Sequence, residues 1–477
     1  MIVQGDYTKS VSQRVQREKL AVEMLSVIHE LFYDRGVEVV IFRNQLRDKN
    51  TSEILDLHNY AKDFVGKPVS IEQTTEMLRA LKATAIECSK LDLGKLTFEW
   101  MSSDQSAEEF IMDTLGEFFT PRSSSPQDVV LFGFGRIGRL LARELVAQEG
   151  TGQQLRLRAV AVRSIDETSL RKRASLLKID SVHGTFPGSV EVDVERMALV
   201  VNGRPIFFIP TPDPTAADYT QYGIDNALLI DNSGAFRDKE ALGKHLQGKG
   251  IAKVLLTAPG KGIPNIVHGV NHEGEALSGD ILSAASCTTN AISPVLAVVE
   301  NTFGIEKGHI ETIHAYTNDQ NLVDNMHKKY RRGRAAAMNM VITETGAGKA
   351  VDKCIPGLGA KLTSNAIRVP VPNGSLAILN LTLNKETTTE AFNEAMKQAA
   401  LEGPLVEQIN YSTNAELVSS DIVGNPSPSI FDSHATIVHA DGKSVVMYVW
   451  YDNEYGYSRQ VIRLAKYATE VRRPSYY

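Results

Sequence analysis

The chain is poor in cysteine, with only Cys88, Cys287 and Cys354 among 477 residues. So few cysteines cannot form a disulfide framework, and none stands at C-x-x-C spacing, which argues against a structural zinc site. The chain also has no run of eighteen or more apolar residues, which argues against a membrane span. Its beginning has neither the basic start and apolar core of a secretory signal nor the acid-poor composition of a transit peptide. We therefore expect a cytoplasmic protein without a metal.

A strong excess of positive charge is missing as well. Residues 1–126 carry 15 Lys and Arg against 20 Asp and Glu, a net charge of −5, and the remaining residues have a net charge of −1. The basic run at residues 328–334 is of a kind that more often forms a solvated face than a contact with nucleic acid. We therefore predict no nucleic-acid partner.

Residues 1–126 predict an all-α domain of their own. Capping-box spacing occurs at Ser70 with Gln73 and at Ser106 with Glu109, in each case ahead of an apolar periodic run. Residues 120–126 have the composition of a linker. Apolar residues at helical spacing predict one apolar stripe on a helix, formed by Val11, Val15, Val22, Leu25, Ile28 and Phe32.

From Asp128 onward, short apolar runs alternate with helical segments. Strands are predicted at 129–132, 155–162, 227–230 and 254–257, and a helix at 140–146. This alternation predicts an α/β fold built on a mostly parallel, doubly wound sheet.

A glycine motif lies between the first of these strands and the helix. Gly133, Gly135 and Gly138 form a G-x-G-x-x-G. The first glycine permits a tight turn, the second lets the backbone approach a pyrophosphate, and the third lets helix and strand pack closely. The flanking strand and helix make a dinucleotide site the favoured interpretation.

The end of the second strand departs from the NAD pattern, in which an acidic residue binds the ribose hydroxyls. Here the strand leads into Arg163 and Ser164, and the first acid is Asp166. Arg163 could pair with a 2′-phosphate and Ser164 could donate a hydrogen bond to it, which favours NADP. The alternative is that Arg163 is merely solvated while Asp166 turns back to the ribose of NAD.

A cysteine and a histidine are candidates for nucleophile and base. Cys287 precedes a helical run, and the unpaired N–H groups of a helix start favour thiolate. His314 is predicted at a strand end from which it could reach the sulfur. Spacing alone leaves open that Cys287 is a buried structural cysteine and His314 unrelated to it.

Several motifs together resemble glyceraldehyde-3-phosphate dehydrogenase. They cover about residues 127–470 and include ASCTTN around Cys287, His314 27 positions later, GFGRIGR at 133–139, DSVHG at 180–184 and YDNEYGY at 451–457. The resemblance implies a Rossmann domain from residues 127–286 and 453–477. It also implies an α+β catalytic domain with a mixed or antiparallel sheet from residues 287–452. Residues 1–126 lie outside it.

The resemblance also implies roles for individual residues. Cys287 would attack the aldehyde and His314 would accept the thiol proton, before inorganic phosphate releases the acyl group as 1,3-bisphosphoglycerate. Cofactor contacts are implied for Gly133, Gly135, Arg136, Ile137, Gly138, Arg163, Ser164, Ser233, Gly234, Thr257, Asn453 and Tyr457. Substrate and phosphate contacts are implied for Ser286, Thr288, Thr317, Asp319, Arg332, Thr345, Gly346 and Arg368. A homotetramer is implied as well.

Departures from the family pattern sharpen the cofactor prediction. Asn325-Met326 stands where NAD-specific members have Leu-Pro, which again favours NADP over NAD. Glu344 stands beside a phosphate subsite, so it should point away or pair with an arginine.

Erythrose-4-phosphate dehydrogenase is an alternative activity. A regulatory or scaffold protein acting through residues 1–126 is an alternative of another class.

Overall fold

A computed structural model of the chain describes residues 4–119, 125–150, 152 and 154–477, so most of the predicted linker at 120–126 lies outside the described residues. The helices are α1 (Gln4–Arg35), α2 (Thr51–Tyr60), α3 (Ile71–Ala83), α4 (Leu93–Trp100), α5 (Ala107–Thr114), α6 (Arg136–Gln148), α7 (Glu167–Lys178), α8 (Lys239–Gly243), α9 (Cys287–Thr302), α10 (Ala347–Val351), α11 (Thr389–Leu401) and α12 (Tyr455–Ala468).

The strands are β1 (Glu38–Ile41), β2 (Asn44–Gln45), β3 (Lys90–Asp92), β4 (Gln127–Phe132), β5 (Leu155–Val162), β6 (Ile179–Asp180), β7 (Gly184–Thr185), β8 (Val190–Asp193), β9 (Ala198–Val201), β10 (Arg204–Pro210), β11 (Ala227–Asp231), β12 (Ile251–Leu256), β13 (Ile281–Ser283), β14 (Ile305–Ala315), β15 (Val341–Thr343), β16 (Leu362–Val369), β17 (Ser375–Leu383), β18 (Ile409–Ser412), β19 (Ser429–Asp432), β20 (Ile437–Val438), β21 (Ser444–Tyr451) and β22 (Ser475–Tyr476).

The chain divides into two compact units. Unit 1 consists of Met1–Pro126, Glu149–Gln154 and Val471–Tyr477, and unit 2 consists of Gln127–Gln148 and Leu155–Glu470. Residues 471–477 were expected in the cofactor-binding domain, but the structure places them in unit 1. They belong there because β22 pairs in parallel with β3, Ser475 opposite Lys90.

Unit 1 is helical, as predicted, but it also holds a four-stranded sheet in the order β2-β1-β3-β22. The all-α prediction for residues 1–126 was therefore incomplete. Both predicted capping boxes are confirmed, at the starts of α3 and α5. The core of the unit gathers the sheet and one face of each helix around buried residues such as Met24, Ile41 and Leu78.

The residues of the predicted apolar stripe all lie on α1, but only part of the stripe is buried. Ile28 and Phe32 are buried, but the side chains of Val11, Val15 and Val22 are exposed. The buried face of the helix is formed by Ala21, Met24, Val27, Ile28 and Leu31. Valines fit the helical spacing without facing the core, since periodicity gives a spacing and not a direction.

Unit 2 contains two large sheets, and the predicted fold class is confirmed. The first sheet has the order β13-β12-β11-β4-β5-β10-β9-β8, with parallel pairing from β13 to β10. The second is mixed, in the order β15-β16-β14-β17-β21-β19-β18. Within the described part of the chain, no helix is both long enough and apolar enough to cross a bilayer.

Candidate active site

The glycine turn between β4 and α6 has room for a dinucleotide. Gly133 has a φ of 100°, and a Cβ there would meet the Asn232 side chain at 3.1 Å. A Cβ on Gly138 would lie 2.6 Å from the carbonyl oxygen of Gly133, so no side chain fits between helix and turn. A Cβ on Gly135, by contrast, would meet nothing within 4 Å. This open position is what a pyrophosphate needs in order to approach the first turn of α6.

Turns from four neighbouring strands meet at the same edge of the parallel sheet. The chain leaves β4 for β5 on one side and later occupies β11 and β12 on the other. Ligands of such sheets bind at the carboxyl edge, where the strand order reverses. Gly133, Arg163, Ser233 and Thr257 each follow one of these strands, so the structure places these four predicted cofactor residues at one edge.

Asp231, a buried residue that the sequence analysis missed, holds two of these turns, one through its carboxylate and one through its backbone carbonyl oxygen. Asp231, at the end of β11, accepts hydrogen bonds from the Ser233 backbone N–H (2.9 Å) and hydroxyl (2.7 Å), and His245 Nε2 lies 3.0 Å from its other oxygen. The Thr257 hydroxyl donates to the Asp231 carbonyl oxygen at 3.1 Å. Gly234 follows with a φ of 75°. The only sequence signal for Asp231 was an acid at the end of an apolar run.

The end of β5 presents an arginine and a serine to solvent. Arg163 and Ser164 are both exposed. The nearby acid, Asp166, is the N-cap of α7: its side chain accepts the Ser169 backbone N–H at 2.7 Å, and this bond lowers the pKa of the carboxyl. The carboxylate that could have turned back to a ribose is therefore engaged in starting a helix.

Arg136 was predicted to touch the cofactor diphosphate, but its side chain is committed elsewhere. Its guanidinium donates to Asp180 at 3.1 Å and to Glu454 at 2.6 Å, and the bond to Glu454 raises its pKa. His183 Nε2 lies 3.0 Å from Glu454 as well. The Arg136 guanidinium is therefore not free to bind a diphosphate unless these bonds break. The side chain instead ties the glycine turn to the start of α12.

Cys287 is the first residue of α9 and lies in the first helical turn, as predicted. Ser286 is the N-cap, and its hydroxyl oxygen accepts the Thr289 N–H at 3.0 Å. Ala285 adopts a φ of 56°, in the left-handed region, and its carbonyl oxygen accepts the Tyr457 hydroxyl at 2.8 Å. This bond fixes the turn that delivers the thiol, and it engages the buried hydroxyl of Tyr457, which was predicted to contact the cofactor.

His314 lies at the end of β14 with its ring against the thiol. Its Nε2 is 3.7 Å from Cys287 Sγ, and its Nδ1 is 2.7 Å from the Ala315 carbonyl oxygen. Arg368 Nη1 also lies 3.1 Å from Nδ1, but it donates to the Ala315 carbonyl oxygen at 3.0 Å. Because that carbonyl approaches Nδ1 more closely and can only accept, we assign the proton of the neutral ring to Nδ1 and the lone pair to Nε2, which faces the sulfur. Burial, together with the Arg368 cation, lowers the pKa of His314 to about 3.

The thiol itself is in a mixed environment. Burial raises the pKa of Cys287, while the Arg368 guanidinium and hydrogen bonds from Thr288 act in the opposite direction. The Thr288 hydroxyl lies 3.1 Å from the buried Tyr451 hydroxyl and is therefore turned into the protein. Asn453 Oδ1 accepts the Ser375 hydroxyl at 2.9 Å, and the Ser375 oxygen in turn accepts the Ala315 N–H.

Two arginines and two polar side chains lie beyond His314. Arg368 donates to the Thr317 hydroxyl oxygen at 3.2 Å and to the Ala315 carbonyl oxygen at 3.0 Å. Arg332 forms an ion pair with Asp319 and donates to Thr343 at 3.1 Å. The structure thus brings together four of the predicted substrate residues, although Asp319 neutralises one of the two arginines.

The remaining predicted phosphate residues begin α10. The Thr345 hydroxyl oxygen accepts the Ala347 N–H at 3.2 Å, and Gly346 is the N-cap. The neighbouring Glu344 side chain is 94% exposed, and its Oε2 atom lies 4.0 Å from Lys329 Nζ. It therefore points into solvent and pairs loosely with a lysine, where the sequence analysis allowed an arginine.

A cavity of about 750 Å³ opens beside the four substrate residues Thr317, Asp319, Arg332 and Arg368. Its lining residues are Arg237, Thr317, Asp319, Met326, His327, Lys328, Lys329, Arg332 and Arg368. Among the residues that the structure describes, no three His, Cys, Asp or Glu side chains are placed to hold a metal ion. Five of the lining side chains are lysine or arginine and one, Asp319, is a carboxylate, so the charge of the cavity favours anions.

Comparison with known families agrees with this geometry. Residues 127–239 match the family model for the glyceraldehyde 3-phosphate dehydrogenase NAD binding domain, and residues 286–453 match the model for its C-terminal domain. The chain belongs to the glyceraldehyde-3-phosphate dehydrogenase family. It is accordingly an oxidoreductase with a dinucleotide-binding Rossmann domain.

Similar proteins divide by whether they match the whole chain. A "glyceraldehyde-3-phosphate dehydrogenase-like protein" of Pseudomonas aeruginosa (strain UCBPP-PA14) is 47% identical over 95% of this chain and 100% of its own length. The glyceraldehyde-3-phosphate dehydrogenase of Clostridium pasteurianum is 41% identical, and glyceraldehyde-3-phosphate dehydrogenase 2 of Nostoc sp. (strain PCC 7120) is 42% identical. Each of these two matches covers 72% of this chain and 98% of the relative's own length. The Pseudomonas relative therefore matches most of the N-terminal extension as well.

Proposed function

We propose that the protein catalyses the phosphorylating oxidation of D-glyceraldehyde 3-phosphate to 1,3-bisphosphoglycerate, or the reverse reaction, with NADP preferred over NAD. The observation that carries this proposal is the 3.7 Å approach of His314 Nε2 to Cys287 Sγ at the start of α9. The Thr317–Arg368 pair beside it can bind a phosphate, so a phosphorylated aldehyde would have its charged end held while its carbonyl faces the thiol.

The chemistry begins with a proton transfer between the two side chains. Because Nε2 of His314 is unprotonated, it accepts the thiol proton as Cys287 Sγ bonds to the aldehyde carbon. The imidazolium so formed can then donate to the developing oxyanion. The low pKa of His314 disfavours this imidazolium until a negative charge forms beside it.

Oxidation converts the hemithioacetal on Cys287 into a thioester. A bound nicotinamide ring supplies the hydride acceptor for this step. Inorganic phosphate then attacks the thioester carbonyl, the C–S bond breaks, and the thiolate leaves and recovers its proton. Covalent capture on Cys287 keeps the oxidation energy in an acyl group that phosphate can collect.

The residues at the β5 end support the preference for NADP. Arg163 and Ser164 are exposed, and Asp166, the carboxylate nearest to them in sequence, is occupied as the N-cap of α7. An arginine and a hydroxyl can bind a 2′-phosphate, whereas a free carboxylate would repel it.

A steady-state assay tests the activity. Glyceraldehyde 3-phosphate and erythrose 4-phosphate are compared with NAD and NADP, with and without inorganic phosphate. Cys287→Ser should abolish turnover while cofactor binding persists. Cys354→Ser is the matched control, because Cys354 is buried and its pKa is raised to about 12 by burial. Rapid, phosphate-independent oxidation of the four-carbon aldehyde alone would replace our proposal with the erythrose-4-phosphate activity.

We further propose a homotetramer, which light scattering on the full chain would test.

An experiment on the extension must respect the composition of unit 1. Deleting residues 1–126 alone would leave β22 without the strand β3 that it pairs with. The informative variant removes 1–126 and 471–477 together.

A further inference from the structure

Helix α1 has a second apolar face, which is exposed. One side of the helix packs on the core of unit 1 through buried residues such as Met24 and Ile28. On the opposite side, Val11, Val15 and Val22 are 45%, 42% and 58% exposed. About one helical turn separates the first two valines and two turns separate the next pair, so the three form one stripe. A continuous stripe differs from apolar residues scattered singly over a surface, which need no partner.

The neighbours of α1 within unit 1 contact the flanks of this stripe. Arg14 donates to the Ser52 hydroxyl oxygen of α2 at 3.1 Å on one flank. Glu23 forms an ion pair with Arg79 of α3 at 2.6 Å on the other flank. Residues 7–16 are exposed on every side. Short helical stretches without packing are marginal in water, and valine is a weak helix former. The start of α1 therefore needs a contact from outside unit 1.

The charges within the stripe favour a second copy of the same helix as that contact. Glu18 lies between Val15 and Val22, and its carboxylate accepts Arg14 Nε at 2.7 Å. A parallel copy would place the two Glu18 side chains opposite each other, and like charges repel. An antiparallel copy can instead place Val11 opposite Val22. Each Glu18 then lies opposite Val15 of the second copy and one position from its Arg14.

We propose that the exposed face of α1 binds the same face of a second copy of this chain, with the two helices antiparallel. At 1.5 Å per residue, the paired stretch from residue 8 to residue 25 is about 26 Å long. An acidic residue in the middle of the stripe, Glu18, makes a lipid surface the poorer partner. The proposal is independent of the proposed reaction, because none of the candidate site residues lies in α1.

Disulfide trapping on the full chain tests the arrangement, because it reports this contact whatever the size of the assembly. The background is Cys287→Ser, which removes the candidate nucleophile. With Val11→Cys and Val22→Cys in one chain, mild oxidation should convert most of the protein into covalent dimers on a non-reducing gel. Val11→Cys alone is the matched control and should give almost none. Its two thiols would be about 16 Å apart along the helix pair, and a disulfide needs Cα atoms within about 7 Å.

Hydrogen exchange gives an independent measurement of the same contact. Backbone N–H groups of residues 8–16 should exchange at least tenfold more slowly in the wild type than in Val11→Glu/Val22→Glu. Because glutamate is a better helix former than valine, lower helix propensity cannot explain that loss. The matched control is Ser12→Glu/Gln16→Glu, which adds the same charge at exposed positions off the stripe and should exchange like the wild type.

Three results would overturn the proposal. Covalent dimers from Val11→Cys alone would show a parallel arrangement. Equally rapid exchange in the wild type and in Val11→Glu/Val22→Glu would show that the purified protein leaves the stripe bare. Slow exchange in the wild type without disulfide dimers would show that the stripe is covered by another part of its own chain. Neither measurement needs turnover, so a failure of the proposed reaction would leave both readable.

Discussion

The exposed Arg163-Ser164 pair allows a sharp test of cofactor choice through Ser164→Asp. The substitution removes a hydroxyl donor to the 2′-phosphate, worth about 1.5 kcal/mol for a bond to a charged group. It also places a carboxylate near a phosphate of almost two negative charges, which costs about 1 kcal/mol per charge at ~4 Å in water. The sum is about 3.5 kcal/mol, or roughly a 400-fold loss in kcat/KM for NADP. For NAD, the new carboxylate can accept the ribose hydroxyls, so kcat/KM should rise.

The assay is kcat/KM for each cofactor at saturating aldehyde and phosphate, and Asp166→Asn is the matched control. Asparagine can still cap α7, so this variant keeps the helix start and loses only the charge. If Asp166 serves only as a cap, its cofactor preference equals that of the wild type. A selective loss of NAD activity in Asp166→Asn would mean that this carboxylate binds the ribose. A wild type that already prefers NAD tenfold would refute the whole argument.

Further outcomes follow from other contacts. Arg136→Met frees the glycine turn from α12 and should raise KM for both cofactors about tenfold with kcat little changed, as measured by steady-state kinetics. Because burial raises the pKa of Cys287, its alkylation rate should climb about tenfold per pH unit from pH 6 to 8. A plateau in that range would contradict this. Arg368→Met removes the cation that lowers this pKa and should slow alkylation at pH 7. Met24→Ala should cost about 2–5 kcal/mol of unfolding free energy in unit 1, read from denaturant melts, since Met24 is fully buried. Deleting residues 471–477 should make unit 1 the first region cut in limited proteolysis.

Much of unit 2 could be predicted because its signals are local. The β4 run, the glycine turn and the helix after it occupy neighbouring residues, and β5 has the predicted bounds. The helical run that follows Cys287 sufficed to place it at a helix start, and the strand ending near His314 was visible as well. A site that depends on a turn, a helix cap or a strand end can be predicted from a short stretch of sequence.

What escaped prediction depends on residues far apart in the chain. The strands β2 and β22 have two residues each, which is too few to show alternation, and β1 pairs with β3 some fifty positions later. Arg136 bonds to Asp180, which lies 44 residues away in the chain, and to Glu454, which lies 318 residues away. Arg237 and Lys328, which both line the cavity, come from separate segments, so only the folded chain brings them together.

The pairing of β22 with β3 imposes an order on biosynthesis. Residues 471–477 leave the ribosome after the whole of unit 2, roughly 20–70 s after residue 126 at ordinary elongation rates. Until then β3 has an unpaired edge, and open edges invite association with other nascent strands. The sheet of the extension, although most of it is made first, is therefore completed only by the last residues of the chain.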